Sequence, residues 1–275
     1  MLRFPSFTRP LIGVSHVLAV ASGKGGVGKT TVAVNLALAL ARSGAAVGLY
    51  DADLYGPNVP VLLGVTRKTA IPGYLPVARA DATPYISPLE RFGLKVMSIG
   101  FFMGTEDAVT PPPDAAGDII RQTLQDVKWG MLDYLLIDLP PGTGEPQQTL
   151  LNTIPMAGVV IVTTPQDLAL MDASRSLAFF RKSRAAVLGV IENMSYIHCP
   201  HCGEPIEVFH RSGKKYAIEG DEIPLLGRVP MNLAISRGID ATHPLVQGGT
   251  LLPEVAVFQE IAAKLVEKLP RHEAA

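Results

Sequence analysis

One ten-residue stretch, Ser22-Gly23-Lys24-Gly25-Gly26-Val27-Gly28-Lys29-Thr30-Thr31, limits what this chain can fold into. The uncharged apolar run Val17–Ala21 precedes it and reads as a buried parallel strand. From Lys29 the pattern turns helical: Val32, Leu36, Ala39 and Leu40 share one face, and Gly44 stands where a helix stops. Strand, glycine-rich turn and helix together let backbone N–H groups and a positive helix end converge on an anion. The spacing Gly23-x4-Gly28-Lys29-Thr30 fits the Walker A pattern in full. Gly23, Lys24, Gly25, Gly26, Val27, Gly28, Lys29, Thr30 and Thr31 are therefore the expected phosphate cradle. Lys29 would reach the β- and γ-phosphates of ATP, and the Thr30 hydroxyl would ligate Mg²⁺.

The rest of the chain repeats the strand-to-helix alternation. Ala46–Tyr50 reads as a second buried strand, running into Asp51-Ala52-Asp53. Leu94–Ile99, Tyr134–Asp138, Val159–Thr163 and Ala186–Ile191 read as further strands. Helices are expected from about Asp114 (as N-cap) to Val127, from Asp167 to about Lys182, and over Leu251–Leu269. Val65–Glu90, rich in proline and threonine, reads as an excursion without a period. Such alternation with short loops predicts an α/β fold with a doubly wound, mainly parallel sheet flanked by helices. Residues 1–16 read as an N-terminal lead-in, 17–270 as one P-loop ATPase domain, and 271–275 as a tail. Carboxylates at the C-terminal ends of parallel strands lie where open α/β sheets bind ligands, which singles out Asp51, Asp53 and Asp138. Asp138 ends its strand as a Walker B aspartate should and would hold Mg²⁺ through water. The stiff loop Leu139-Pro140-Pro141-Gly142-Thr143-Gly144 follows it.

Bulk charge points to no nucleic-acid partner: 24 Lys and Arg stand against 25 Asp and Glu. No apolar run reaches the length that spans a membrane, so no membrane partner is expected. Two cysteines in 275 residues make no disulfide framework, which fits a reducing compartment. Pro5 and Pro10 spoil an amphipathic transit helix, so a cytoplasmic location is expected ahead of an organellar matrix.

The two cysteines stand as Cys199-Pro200-His201-Cys202, and three chemistries compete for them. A redox pair would have a helix start at the motif, which Gly203-Glu204-Pro205 opposes. Zinc needs four ligands; His198 and His201 are poorly placed to join the thiols beside them, and His210 is the further candidate. Two copies of the chain would supply four thiolates, suiting zinc or a [4Fe–4S] cluster equally. Ligand arithmetic leaves the choice open.

Lys24, directly after the first glycine, makes the loop resemble the deviant Walker A of the MinD/ParA/nitrogenase iron-protein class. That likeness implies a homodimer in which Lys24 reaches the partner's nucleotide. It also implies that Asp53 positions the attacking water, that Asp51 supports Mg²⁺, and that Asn193 hydrogen-bonds the base. Lys24, Lys29 and Asp53 are thus the expected catalytic set. With Asp51 to Pro57, Asp138 to Gly144, Thr163 to Asp167, Glu192 to Tyr196 and the Cys-x-x-Cys-Gly run, the chain resembles the Mrp/ApbC family of iron–sulfur cluster carrier ATPases from Val17 to about Leu269. The resemblance implies slow ATP hydrolysis and a [4Fe–4S] cluster bridged by Cys199 and Cys202 of two subunits, received from a scaffold and passed to apo-proteins. The alternative is a MinD/ParA-like nucleotide switch with structural zinc at the dimer seam. Two departures stand out: Thr110-Pro111-Pro112-Pro113-Asp114 replaces a Trp-Arg-Gly-Pro run, and no N-terminal cysteine cluster precedes the domain, so a second cluster is not expected.

Overall fold

The central strands of the main sheet are apolar along most of their length, as strands covered on both faces must be. The computed structural model describes residues 9–65, 86–102, 113–209, 216–218, 221–232, 235, 244–248 and 253–271. Its eight-stranded sheet has the order β12-β7-β6-β1-β5-β2-β4-β3. In chain order these are β1 (Val14–Ser22), β2 (Val47–Asp51), β3 (Leu89–Arg91), β4 (Leu94–Ser98), β5 (Leu132–Asp138), β6 (Gly158–Thr163), β7 (Val187–Glu192) and β12 (Leu225–Arg228), while β8 (Ile197–His198) pairs with β9 (Pro205–Ile206) and β10 (Ala217–Ile218) with β11 (Asp221–Glu222) apart from it. Every pairing is parallel except that of β3 with β4 at one edge.

Two layers of helices cover the sheet. On one face lie α1 (Lys29–Arg42) and α6 (Pro253–Lys268), packed on Leu18, Val20, Tyr134 and Leu136. On the other lie α3 (Pro113–Gln125), α4 (Glu145–Thr153) and α5 (Asp167–Lys182), packed on Ala19, Ala21, Leu135 and Ile137. Successive strand residues thus feed opposite cores, as the pleat requires. The C-terminal helix buries Val255, Phe258, Ile261 and Leu265 against α1 and β12. Truncating Phe258 alone would remove about 3–5 kcal/mol. That amphipathic tail packs on the sheet, as its mixed charge suggested.

Several boundaries differ from expectation. The first strand begins at Val14, so residues 14–16 belong to the sheet and not to a lead-in. α3 starts at Pro113, whose fixed φ suits a first helical position, which puts Asp114 inside the first turn instead of at its cap. It ends at Gln125, two residues early, where Asp126 and Lys128 pair with Ile86 instead. Of the proline-rich excursion, residues 66–85 lie outside the described residues, and its end forms the edge strand β3. The Thr110–Pro112 run also lies outside them.

Candidate functional site

Strand order assembles the site. β5 sits between β1 and β2, in register with Val20 and Asp51 opposite Asp138. The C-terminal ends of three strands therefore bring the glycine loop, Asp138 and Asp51 side by side. A cleft of about 370 Å³ opens above them, walled by Ser22, Lys24 to Thr31, Asp53, Asn58, Val61, Leu62 and Pro141.

At the floor, Lys29 Nζ lies 2.6 Å from Asp138 Oδ1, and the Thr30 hydroxyl donates to Asp138 Oδ2 at 2.7 Å. Lys29 is 7% exposed and Asp138 fully buried. Burial pushes the Asp138 carboxyl above its ordinary range, and the Lys29 ammonium opposes that. Lys24 borders the same cleft, half-buried, with no side-chain partner among the described residues.

The loop's glycines are fixed by what stands behind them. Gly28 has φ +79°, and a Cβ there would lie 2.3 Å from Asn193 Nδ2. A Cβ on Gly23 would come within 2.3 Å of the backbone of Asp172 on α5. Gly25 and Gly26, by contrast, face open space within 4 Å. The inner side of the loop is thus clamped, and its outer arc is left for an anion.

Asp51 and Asp53 do different things. Asp51 is fully buried and outside the cleft wall. Its carboxylate accepts from the backbone N–H of Asp53 and Val59 at 3.2 Å each and from the Ser98 hydroxyl at 3.0 Å. It thereby holds the turn-rich stretch and the first residue of the short helix α2 (Val59–Leu62). Burial, followed by repulsion from Asp138, pushes its pKa up to about 8. Asp53 lines the cleft and accepts from Gly56 N–H at 3.2 Å. Asn193 is buried behind the loop, its Nδ2 donating to the Val27 carbonyl at 2.8 Å.

The cysteines sit on a separate small hairpin of β8 (Ile197–His198) and β9 (Pro205–Ile206). Cys199 N–H donates to Glu204 O, and Gly203 N–H returns to Cys199 O at 2.9 Å, with Gly203 at φ +76°. No helix starts at the motif. Backbone N–H groups of Cys202 and His201 point at the Cys199 thiol and hold its pKa below the usual thiol range. Cys202 is exposed. His198 Nδ1 is taken by the Gly203 carbonyl at 2.9 Å, and its ring stands edge-on to Tyr196. Among the described residues no three His, Cys, Asp or Glu side chains gather around one point, and His210 lies outside them.

Gln147 was invisible to sequence reasoning. Buried on α4, it donates to the carbonyls of Pro140, Pro141 and Gly142, at 2.7, 3.2 and 3.1 Å, and so shapes the loop after Asp138. Its spacing from the strand carries no motif.

A clamped glycine loop on a helix N-terminus, its lysine against a strand-ending aspartate, defines a P-loop nucleoside triphosphatase. The comparisons agree. The family model for the ParA class, described as NUBPL iron-transfer P-loop NTPase, matches residues 13–266, and the chain belongs to that family. It is 42% identical over 257 residues to an iron-sulfur cluster carrier protein of Synechocystis, covering 92% of this chain and 71% of that one. It is 35% identical over 268 residues to the iron-sulfur cluster transfer protein NUBPL of Dictyostelium discoideum, covering 97% and 81%. Among solved structures, a nucleotide-binding protein of Archaeoglobus fulgidus in complex with ADP superposes with a TM-score of 0.68 at 33% identity, covering 89% and 91%. The cell-division ATPase MinD of Pyrococcus furiosus, at 24% identity and TM-score 0.61 over 92% and 99%, shares the fold.

Proposed function

We propose that this protein is an ATP-hydrolysing iron–sulfur cluster carrier that works as a homodimer. Each subunit would present Cys199 and Cys202, and the four thiolates would hold one [4Fe–4S] cluster as cargo for apo-proteins, received from a cluster scaffold. The observation that carries this reading is the hairpin itself. Two thiols stand at an exposed tip, one kept toward its thiolate by backbone N–H groups, which is a half-set of ligands for a soft metal centre. The names of the related carriers support it.

The cleft supports ATP as the driving ligand. Lys29 and the loop N–H groups would take the β- and γ-phosphates. Thr30 and Asp138 offer the oxygens that suit Mg²⁺, which would neutralise charge building on the phosphates. Asp53, in the cleft wall, would orient the attacking water, and Asp51 would act by holding that segment in place. Lys24, with no side-chain partner among the described residues, would reach a partner's nucleotide. Val61, in the cleft wall, and Tyr55, Leu168 and Met171 are all more than half exposed and would suit a face-to-face dimer. Hydrolysis is expected to be slow until the dimer completes the site.

Anaerobic reconstitution with iron and sulfide tests the carrier half, with the Cys199→Ser/Cys202→Ser double variant as control. The expected result is a broad absorption band near roughly 400 nm and about four irons per dimer, both absent in the variant. Tight zinc with no cluster would make the protein a zinc-seamed nucleotide switch and overturn the reading.

A further inference from the structure

The guanidinium of Arg228, at the end of the edge strand β12, grips the cysteine hairpin at both ends of its stem. Ahead of β8, it stacks over the Tyr196 ring at 5.4 Å. Just past β9, its Nη2 donates to Glu207 Oε1 at 2.8 Å. Its Nε turns the other way, to Glu192 Oε1 at 3.2 Å and to the Ser195 hydroxyl at 2.8 Å. Glu192 is the last residue of β7 and is 1% exposed. The Ser195 and Tyr216 hydroxyls also donate to its carboxylate.

The next residue along the chain is Asn193, whose side chain braces the Val27 carbonyl of the phosphate loop. Asn193 N–H is itself fixed to Thr163 O on β6, and Val229 N–H to Glu192 O. The span from phosphate loop to cysteine hairpin is therefore continuous. It runs from Val27 to Asn193, through one peptide unit to Glu192, and across the guanidinium to Tyr196 and Glu207. The geometry points to Arg228 as a positioning residue that carries nucleotide occupancy to the thiols. The physical reason is that a guanidinium holds fixed donor directions, so a shift of the Glu192 carboxylate re-aims the group that pins the hairpin. A half-buried charge pair of this kind is stiffer than an exposed one, because little water is present to replace either partner.

The inference deepens the carrier reading and rests on it for its purpose, but its test needs no cluster. Cluster-free protein is treated with iodoacetamide with and without Mg–ADP and a non-hydrolysable ATP analogue, and alkylation of Cys199 and Cys202 is followed by mass spectrometry. Protein concentration is set where sedimentation gives the same mass with and without nucleotide, so that burial in a dimer does not contribute. In the unaltered protein the nucleotide is expected to change the alkylation rate by about fivefold or more, the low end of ordinary coupling between sites. Arg228→Ala should bring that ratio close to one while calorimetric nucleotide affinity stays within about threefold, and Arg228→Lys, a point charge without the fork, should restore only part of it. A purely structural role would lower the melting temperature without altering the ratio. If Arg228→Ala fails to fold, Glu207→Ala, which removes the acceptor of Arg228 Nη2 and leaves the Arg228 bonds to Glu192 and Ser195 in place, is read instead. An unaltered ratio in these variants, or no nucleotide effect in the parent protein, would overturn the inference. Failure of cluster reconstitution would leave it standing.

Discussion

Lys29 and Asp138 are 109 residues apart in the chain and 2.6 Å apart in space, joined in a pocket almost closed to water. The lysine that should meet a phosphate is thus already neutralised by the aspartate that should hold the cation. An incoming nucleotide with Mg²⁺ would exchange partners at both ends: phosphate for Asp138 on the lysine, cation for Lys29 on the aspartate. Neither charge would then be left alone, which matters because a lone charge at this depth costs several kcal/mol.

This exchange predicts an asymmetry in stability. Lys29→Met leaves Asp138 buried without its cation and should destabilise the nucleotide-free protein by about 3–5 kcal/mol, whereas adding Asp138→Leu should recover most of that loss. Urea unfolding of the two variants measures it. Equal losses in the single and double variants would count against the pair as the dominant interaction.

Asp51 predicts a pH dependence of unusual sign for a carboxylate. Its pKa rises from an ordinary 3.8 to about 8 on folding, so between those values the native protein keeps a proton that the unfolded chain has lost. The stabilising contribution is full below about pH 4 and is lost as pH climbs through about 8, with a slope of up to about 1.4 kcal/mol per pH unit. Urea midpoints of nucleotide-free protein at about pH 5, 6.5 and 8 should fall in that order, and Asp51→Asn should flatten the trend. A rising trend in the parent protein, cancelled by the same substitution, would reverse the assignment.

Asn193 predicts a difference between bracing a loop and reading a base. Its amide is spent on the Val27 carbonyl, so Asn193→Ala leaves that buried oxygen unpaired at about 1–3 kcal/mol. Affinity for ADP and for GDP should fall alike, by about tenfold, because the loop that receives the phosphates has lost its backing. Isothermal titration with both nucleotides reads this directly. A loss confined to ADP would mean that the asparagine turns to the base when nucleotide arrives.

Much of this architecture was legible in advance. The apolar runs ending in Ser22, Asp51, Asp138 and Thr163 became strands because a strand buried on both faces has no room for polar alternation. Boundaries slipped where the signal was weakest: Ser15 and His16 interrupt the apolar run, yet Val14 and His16 pair with Leu132 and Tyr134. Asp51, the expected support for Mg²⁺, accepts from Asp53 and Val59 of its own segment and from Ser98 of the strand beside it, and that last partner was not legible in the local sequence.

The sequence by itself determined the local chemistry. Four glycines before Lys-Thr make a phosphate loop wherever a strand feeds a helix, and two cysteines separated by Pro-His, with a glycine after them, make a tight turn, because these depend on neighbours a few residues apart. Tertiary structure alone decided which distant groups meet. Placing β5 between β1 and β2 set Asp138 against Lys29, and the ends of β7 and β12 set Asn193 behind Val27 and Arg228 across the foot of the hairpin. Strand order follows from burying both faces of the sheet at once, a condition on the whole chain that no local period expresses.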